Sequence, residues 1–192
     1  MWCSSLERHR LLFLYLQRRL PSLDCVVLHV ASEACLEARL RQRFGEGYLT
    51  ADFHNSRADV RMNIMDIQYP GETFDLIFCS HVLEHVEDDR KAMREFRRVL
   101  RVDGIAVLLV PIGGPARTYE DPSIVDPEAR ARAFGQHDHV RVYGADYVDR
   151  LQEAGFDVEI LRVEDLATAE EAVQMNLSGA AGVIHVCRRS PE

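Results

Sequence analysis

Apolar and polar positions along the chain switch repeatedly between two spacings. Short apolar runs at 25–31, 48–51, 60–65, 74–79, 105–110, 158–163 and 183–187 have the length and the β-branched or aromatic content of buried strands. Between them, apolar residues recur at helical spacing. A first helix opens at a capping box formed by Ser4 and Glu7 and closes near Leu20, before Pro21. A second runs over 35–44 and stops at Gly45. A third follows Asp88-Asp89 and turns Ala92, Met93, Phe96, Val99 and Leu100 inward. Another covers 145–154 with Tyr147, Val148 and Leu151 inward and ends at Gly155, and 167–175 is loosely helical. Glu84 and His85 read as the opening of the helix after the fourth strand. Asp103-Gly104 predicts a turn before the 105–110 strand.

Strand and helix alternate, and two strands close the chain. This pattern predicts an α/β fold, a mostly parallel sheet with helices on both faces. The whole of 1–192 reads as one domain, with an N-terminal helix in 1–22 and only the tail beyond Arg188 disordered. From 111 to 140 periodicity fades and Gly, Pro, Asp and His accumulate, the mark of a functional insert.

Bulk properties narrow the function classes. A net charge of −8 argues against broad binding to nucleic-acid phosphates, and Arg94, Arg97, Arg98 and Arg101 fit the solvated face of a helix. The longest apolar run, 11–16, is too short to cross a bilayer, and charged residues flank it. A cytoplasmic location is the expectation, and oligomeric state is left open. Five scattered cysteines without a CxxC pair predict reduced thiols, with Cys25, Cys79 and Cys187 in the core.

The chemistry gathers at the carboxyl ends of the strands, where open α/β sheets bind ligands. Asp52 ends the second strand, Asp66 the third, and Ser80-His81 the fourth. A carboxylate some twenty residues beyond the first strand–turn–helix suits a ribose diol, which assigns Asp52 to that role and leaves Asp66 for an adenine amino group. Each aspartate alone reads equally well as a turn or helix cap. Together they favour an adenosine-containing ligand.

The motifs YLTAD at 48–52, Asp66-Ile67, FDLIFCSHVLEHV at 74–86 and EFRRVLRVDG at 95–104 resemble the class I S-adenosylmethionine (SAM)-dependent methyltransferases. The match is to the type 11-like group with an "hVLEHh…ExxRVLxxxG" signature, and it runs over roughly 25–187. YGADYVDRLQEAGF at 143–156 is similar to that group's later helix and strand. The resemblance implies a Rossmann-like seven-stranded sheet with the last strand antiparallel, SAM as cofactor, and a substrate-side insert over 112–142. Ala31, Glu33, Asp52, Asp66, Ile67, Ser80 and His81 are its cofactor-binding candidates. The family's glycine-rich loop is absent: LHVASEAC at 28–35 puts Ala31, Glu33 and Cys35 in place of glycines. A branch of the family has a similar "LHhAxE" loop preceded by "CGSLERHR", which MWCSSLERHR at 1–10 resembles. In those relatives a cysteine-rich metal module can precede this segment. Cys3 alone corresponds to such a ligand in this chain, so no metal is expected. Glu33 has two readings, a partner for the methionine ammonium or an obstruction.

Methyl transfer from a sulfonium needs alignment, and a protonated nucleophile also benefits from a base. His81 is the first candidate base, with pocket shaping as the equal alternative; His139 and Tyr119 are the others. For substrate binding the candidates are His85, His137, Arg141 and Tyr143, with Arg141 suited to an acidic group. His85 shares a helix face with His81 if that helix starts early, and reads more readily as structural. His137, His139 and Arg141 point one way if their segment is extended, and a His137/His139 metal pair is weakly supported. His29 reads as a hydrogen-bonded core histidine. The resemblance implies methyl transfer to a small-molecule or side-chain acceptor, with a small molecule or peptide as substrate. Two other functions remain open: a non-catalytic binding module, and a SAM-using enzyme of different chemistry.

Overall fold

A computed structural model describes residues 5–20, 25–114, 116–179 and 182–190. Ser4 of the expected capping box, Cys3 and Pro21 lie outside them. Helix α1 (Glu7–Arg19) begins with a different closure: His9 Nδ1 accepts the Leu6 N–H at 3.1 Å, while the Glu7 carboxylate accepts from Ser178 at 2.8 Å.

Strand β1 (Val27–Val30) leads through α2 (Ala34–Phe44) to β2 (Tyr48–Asp52). Gly45 stops α2 with φ of 57°, a conformation that favours glycine. β3 is shorter than its apolar run suggests, Val60–Arg61, because Asn63 turns the chain. β4 (Phe74–Ser80) continues into a turn, and α3 (Asp89–Val99) starts only at the Asp88 cap, whose carboxylate accepts the Lys91 N–H. The helix therefore does not reach back to Glu84 and His85. β5 (Leu100–Leu109) follows directly; its pairing with β4 jumps between Leu100 and Ile105, so the expected turn at Asp103-Gly104 is absorbed as a bulge.

The insert is more ordered than its pattern suggests. β6 (Tyr119–Glu120) pairs antiparallel with β7 (Arg141–Val142) around α4 (Pro127–Phe134). Asp126 caps α4, Pro127 takes its first turn and Gly135 ends it at φ 87°. After α5 (Tyr147–Glu153) come β8 (Phe156–Leu161), α6 (Val163–Leu166), α7 (Ala169–Gln174) and β9 (Ile184–Arg189). β9 reaches Arg189, and Ser190 Oγ donates to Asp157, so order extends past the expected start of the tail.

The seven strands lie in the order β3-β2-β1-β4-β5-β9-β8, parallel except for β9, which is antiparallel to both neighbours. This is the expected Rossmann-like sheet. Alternate side chains feed two cores: Leu28, Ile77 and Cys79 pack with α3 and α5 on one face. Val27, Leu76 and Phe78 pack with α1 and α2 on the other. Cys79 and Cys187 are buried as expected, whereas Cys25 is half-buried. Among the described residues no helix is long and apolar enough to cross a membrane.

Candidate functional site

The strand order reverses between β1 and β4, since the chain leaves β1 for β2 on one side and β4 for β5 on the other. Such a switch point opens a crevice at the carboxyl ends. Here it is a cleft of about 570 Å3 whose lining includes Val30, Ala31, Asp52, Asn63, His81 and His85. Both flanking strands end in a left-handed non-glycine residue, Ala31 at φ 49° and His81 at φ 55°. Each costs about 1 kcal/mol or more and persists because its backbone is tied down. Ala31 N–H donates to Ala51 O at 2.8 Å, and His81 N–H to Leu109 O at 2.9 Å. The sharp turns that glycines usually supply are thus made with side chains in place.

One half of the cleft suits a nucleoside. Asp52 Oδ1 accepts the N–H groups of His54 and Asn55, both at 2.7 Å, and its Oδ2 has no partner among the described residues. The carboxylate is therefore held in place with a free acceptor oxygen at the carboxyl end of β2. Asn63 Oδ1 accepts from Met65 N–H, leaving its amide N–H groups for a base edge; Met62, Ile64 and Met65 supply apolar wall. These residues fit SAM's adenosine.

The loop after β1 turns away from the cleft. Glu33 Oε2 lies 3.1 Å from His29 Nε2, and Glu33 Oε1 lies 3.5 Å from His9 Nε2 of α1. His29 is fully buried as expected, its Nδ1 2.6 Å from the Tyr48 hydroxyl. Burial pushes the Glu33 carboxyl up, but the His29 hydrogen bond and the two imidazoles outweigh it and hold it below its usual range. Glu33 does not line the cleft, so the obstruction is not realised, and neither is direct access to a ligand from this rotamer.

The other half carries the ionisable groups. His81 Nδ1 lies 3.3 Å from Glu84 Oε1, and Glu84 is 1% exposed. His85 Nδ1 lies 3.3 Å from Asp138 Oδ2, and its ring meets His139 edge-on at 4.7 Å between centroids. His85 and His81 share the cleft wall through the turn, not through a helix face.

Several expectations are corrected. Arg141 is 3% exposed and fully engaged, donating to the carbonyls of Leu83, Val86 and Glu87 and to Glu120, so no guanidinium group is left for a substrate. Tyr143 is buried, with its hydroxyl on Asp89 at 2.8 Å. Tyr119 packs on Phe134 in the insert, away from the cleft. His137 is exposed in a turn, so the extended alternation that grouped it with His139 is not realised. Asp66 faces a separate depression beside Arg61 and Tyr69, and Ile67 is core with its N–H on Glu95. Ser80 is buried at the end of β4 and does not line the cleft. Asn63, and not Asp66, lines the cleft beyond β3. The polar break it makes in the third apolar run was the available signal. His54 and Arg130, also on the wall, had none.

A family model described as "Methyltransferase domain" matches residues 13–108, half of the chain. A methyltransferase of Bacillus subtilis, YcgJ, is 36% identical over 75 residues, which is 39% of this chain and 28% of that protein. The three curated relatives are matched over only 26–36% of their own lengths. The solved YcgJ structure has a TM-score of 0.64 at 17% identity, over 95% of this chain and 100% of its own. An S-adenosylmethionine-dependent methyltransferase from Mesorhizobium loti gives 0.64 at 15%, over 97% and 100%. A Burkholderia thailandensis 1,6-didemethyltoxoflavin N1-methyltransferase, solved with S-adenosylhomocysteine, gives 0.57 at 16%, over 96% and 77%. The chain belongs to the methyltransferase-domain family, the class I SAM-dependent methyltransferases, whose methyl donor is S-adenosylmethionine.

Proposed function

We propose that this member of the methyltransferase family transfers the methyl group of SAM to a small-molecule acceptor in the cleft between β1 and β4. The observation that carries this reading is the position of Asp52, fixed by two backbone N–H groups with one oxygen free, in a cleft at the topological switch point. When bound, SAM supplies an electrophilic methyl on a sulfonium. Asp52 holds the ribose hydroxyls, and Asn63 reads the adenine edge against Met62 and Ile64. The backbone at Ala31, left-handed and tied to Ala51, lets the methionine end approach β1.

His81 is the base. Its imidazole faces the cleft, and the Glu84 carboxylate at 3.3 Å stabilises the imidazolium formed when it takes an acceptor proton. His139 and His85 border the acceptor end. Glu33 supports the loop through His29 and His9 and leaves the cleft clear, which favours turnover over a purely binding role.

The test uses SAM with an isotopically labelled methyl and a panel of phenols, amines and carboxylic acids, read by mass spectrometry. The expected result is a labelled methyl on a member of one acceptor class, with His81→Ala slowing proton-bearing acceptors by about 100-fold or more. Cofactor consumption without a methylated product would instead favour different chemistry, and binding without consumption a non-catalytic module.

A further inference from the structure

The acceptor end of the cleft holds a donor set of which the base role of His81 uses only Glu84, through one oxygen. One carboxylate oxygen of Glu84 and one imidazole nitrogen each of His85 and His139 lie within 4.8 Å of one another. Glu84 is 1% exposed, and neither of its carboxylate oxygens has a hydrogen-bond partner among the described residues, although His81 Nδ1 lies 3.3 Å from Oε1. A buried carboxylate left without hydrogen bonds is strongly unfavourable unless a cation compensates it.

The two segments that carry these donors are locked together. Val140 N–H donates to Glu84 O at 2.9 Å, joining the end of the insert to the turn after β4. The buried Arg141 guanidinium donates to the carbonyls of Leu83, Val86 and Glu87 at 2.7, 2.5 and 2.9 Å. Asp138 Oδ2 lies 3.3 Å from His85 Nδ1, and a carboxylate on one ring nitrogen orients an imidazole for ligation through the other. His85 also lines the cleft, so an ion here faces the substrate space.

We propose that Glu84, His85 and His139 bind one divalent transition-metal ion, of the zinc, manganese or iron(II) class, at the acceptor end of the cleft. Two imidazoles with one carboxylate suit zinc and iron(II), and the harder manganese(II) to a lesser degree, better than magnesium or calcium, which favour all-oxygen sets. Three protein ligands leave positions open for water or an acceptor oxygen. The binding claim stands without methyl transfer; the use of the ion on an acceptor oxygen rests on the function proposed above.

The test titrates zinc chloride and manganese chloride separately into the EDTA-stripped full chain, without SAM, by calorimetry, and adds cobalt(II) absorption as a reporter of ligand geometry. The expected result is one zinc or manganese ion per chain with a Kd on the order of 1 μM or tighter. His139→Ala and Glu84→Gln should each weaken binding about tenfold or more, and His137→Ala, an exposed neighbour outside the cluster, should not. If Glu84→Gln does not fold, His85→Ala and His139→Ala, both at half-exposed positions, carry the comparison. Absence of saturable binding overturns the proposal. So does binding that survives every cluster variant, or that is lost only with His137→Ala. Titrating the stripped protein with S-adenosylhomocysteine separates failure of this site from failure of the cofactor reading.

Discussion

Glu33 and Glu84 follow left-handed residues at the ends of neighbouring strands, and each lies beside a histidine of its own strand end. Their carboxylates have opposite fates. Glu33 is held between His29 and His9 at 3.1 and 3.5 Å and stays below its usual pKa. Glu84 is more deeply buried, with His81 at 3.3 Å and no hydrogen bond to either oxygen among the described residues. The loop after β1 has settled its charge internally and serves as a wall. The turn after β4 leaves a buried carboxylate without hydrogen bonds, which is what a site for a cation or an activated acceptor requires.

The largest test breaks the scaffold under Glu84. Arg141→Met removes the guanidinium donor from the carbonyls of Leu83, Val86 and Glu87, leaving Leu83 with the Tyr143 hydroxyl and Glu120 with Arg150 and the more distant Arg90, at an expected cost of about 3–5 kcal/mol in urea unfolding. A loss under about 1 kcal/mol would mean that the turn does not depend on this clamp. Next come the paired amides, measured in EDTA. Glu33→Gln should cost about 1–2 kcal/mol through its lost charge-assisted contacts, whereas Glu84→Gln should be neutral or stabilising. Effects of the same sign would erase the contrast.

Acid titration sharpens the same pair. The folded-state pKa of Glu33 is lowered, so its contribution is fully present above the ordinary value of 4.5 and is lost as pH falls below 4.5 through the lowered value. The stability gap between wild type and Glu33→Gln should therefore close only at the acid end, as followed by urea unfolding at each pH. The smallest effect is at Ala31. Ala→Gly normally destabilises, but at φ 49° glycine relieves strain, and Ala31→Gly should be neutral or stabilising by up to about 1 kcal/mol in thermal unfolding. A clear loss would mean that the alanine methyl packs against something the loop needs.

The sheet was legible because each strand is a compact apolar run and each long helix keeps one apolar face, as in Ala92, Met93, Phe96 and Val99. The insert was less so: β6 and β7 have two residues each, too few for a period, although Asp126-Pro127 and Gly135 marked the ends of α4. Asp52 and His81 were readable at the site because strand ends fix where a side chain emerges. Asp66 was misplaced because β3 ends early and Asn63 turns the chain first. Arg141 and Tyr143 look like substrate groups in sequence, and only packing shows their hydrogen bonds spent on the turn after β4 and on Asp89. The contact of His9 with Glu33 joins residues 24 positions apart in different elements, and no local pattern reveals it.

The central claim is that the cleft between β1 and β4 holds the adenosine of SAM on Asp52. Calorimetric titration of S-adenosylhomocysteine into the wild type and Asp52→Ala tests it most directly. One molecule should bind per wild-type chain, and the variant should bind on the order of tenfold more weakly or worse. No binding to wild type at about millimolar ligand, or equal binding by the two proteins, would contradict it.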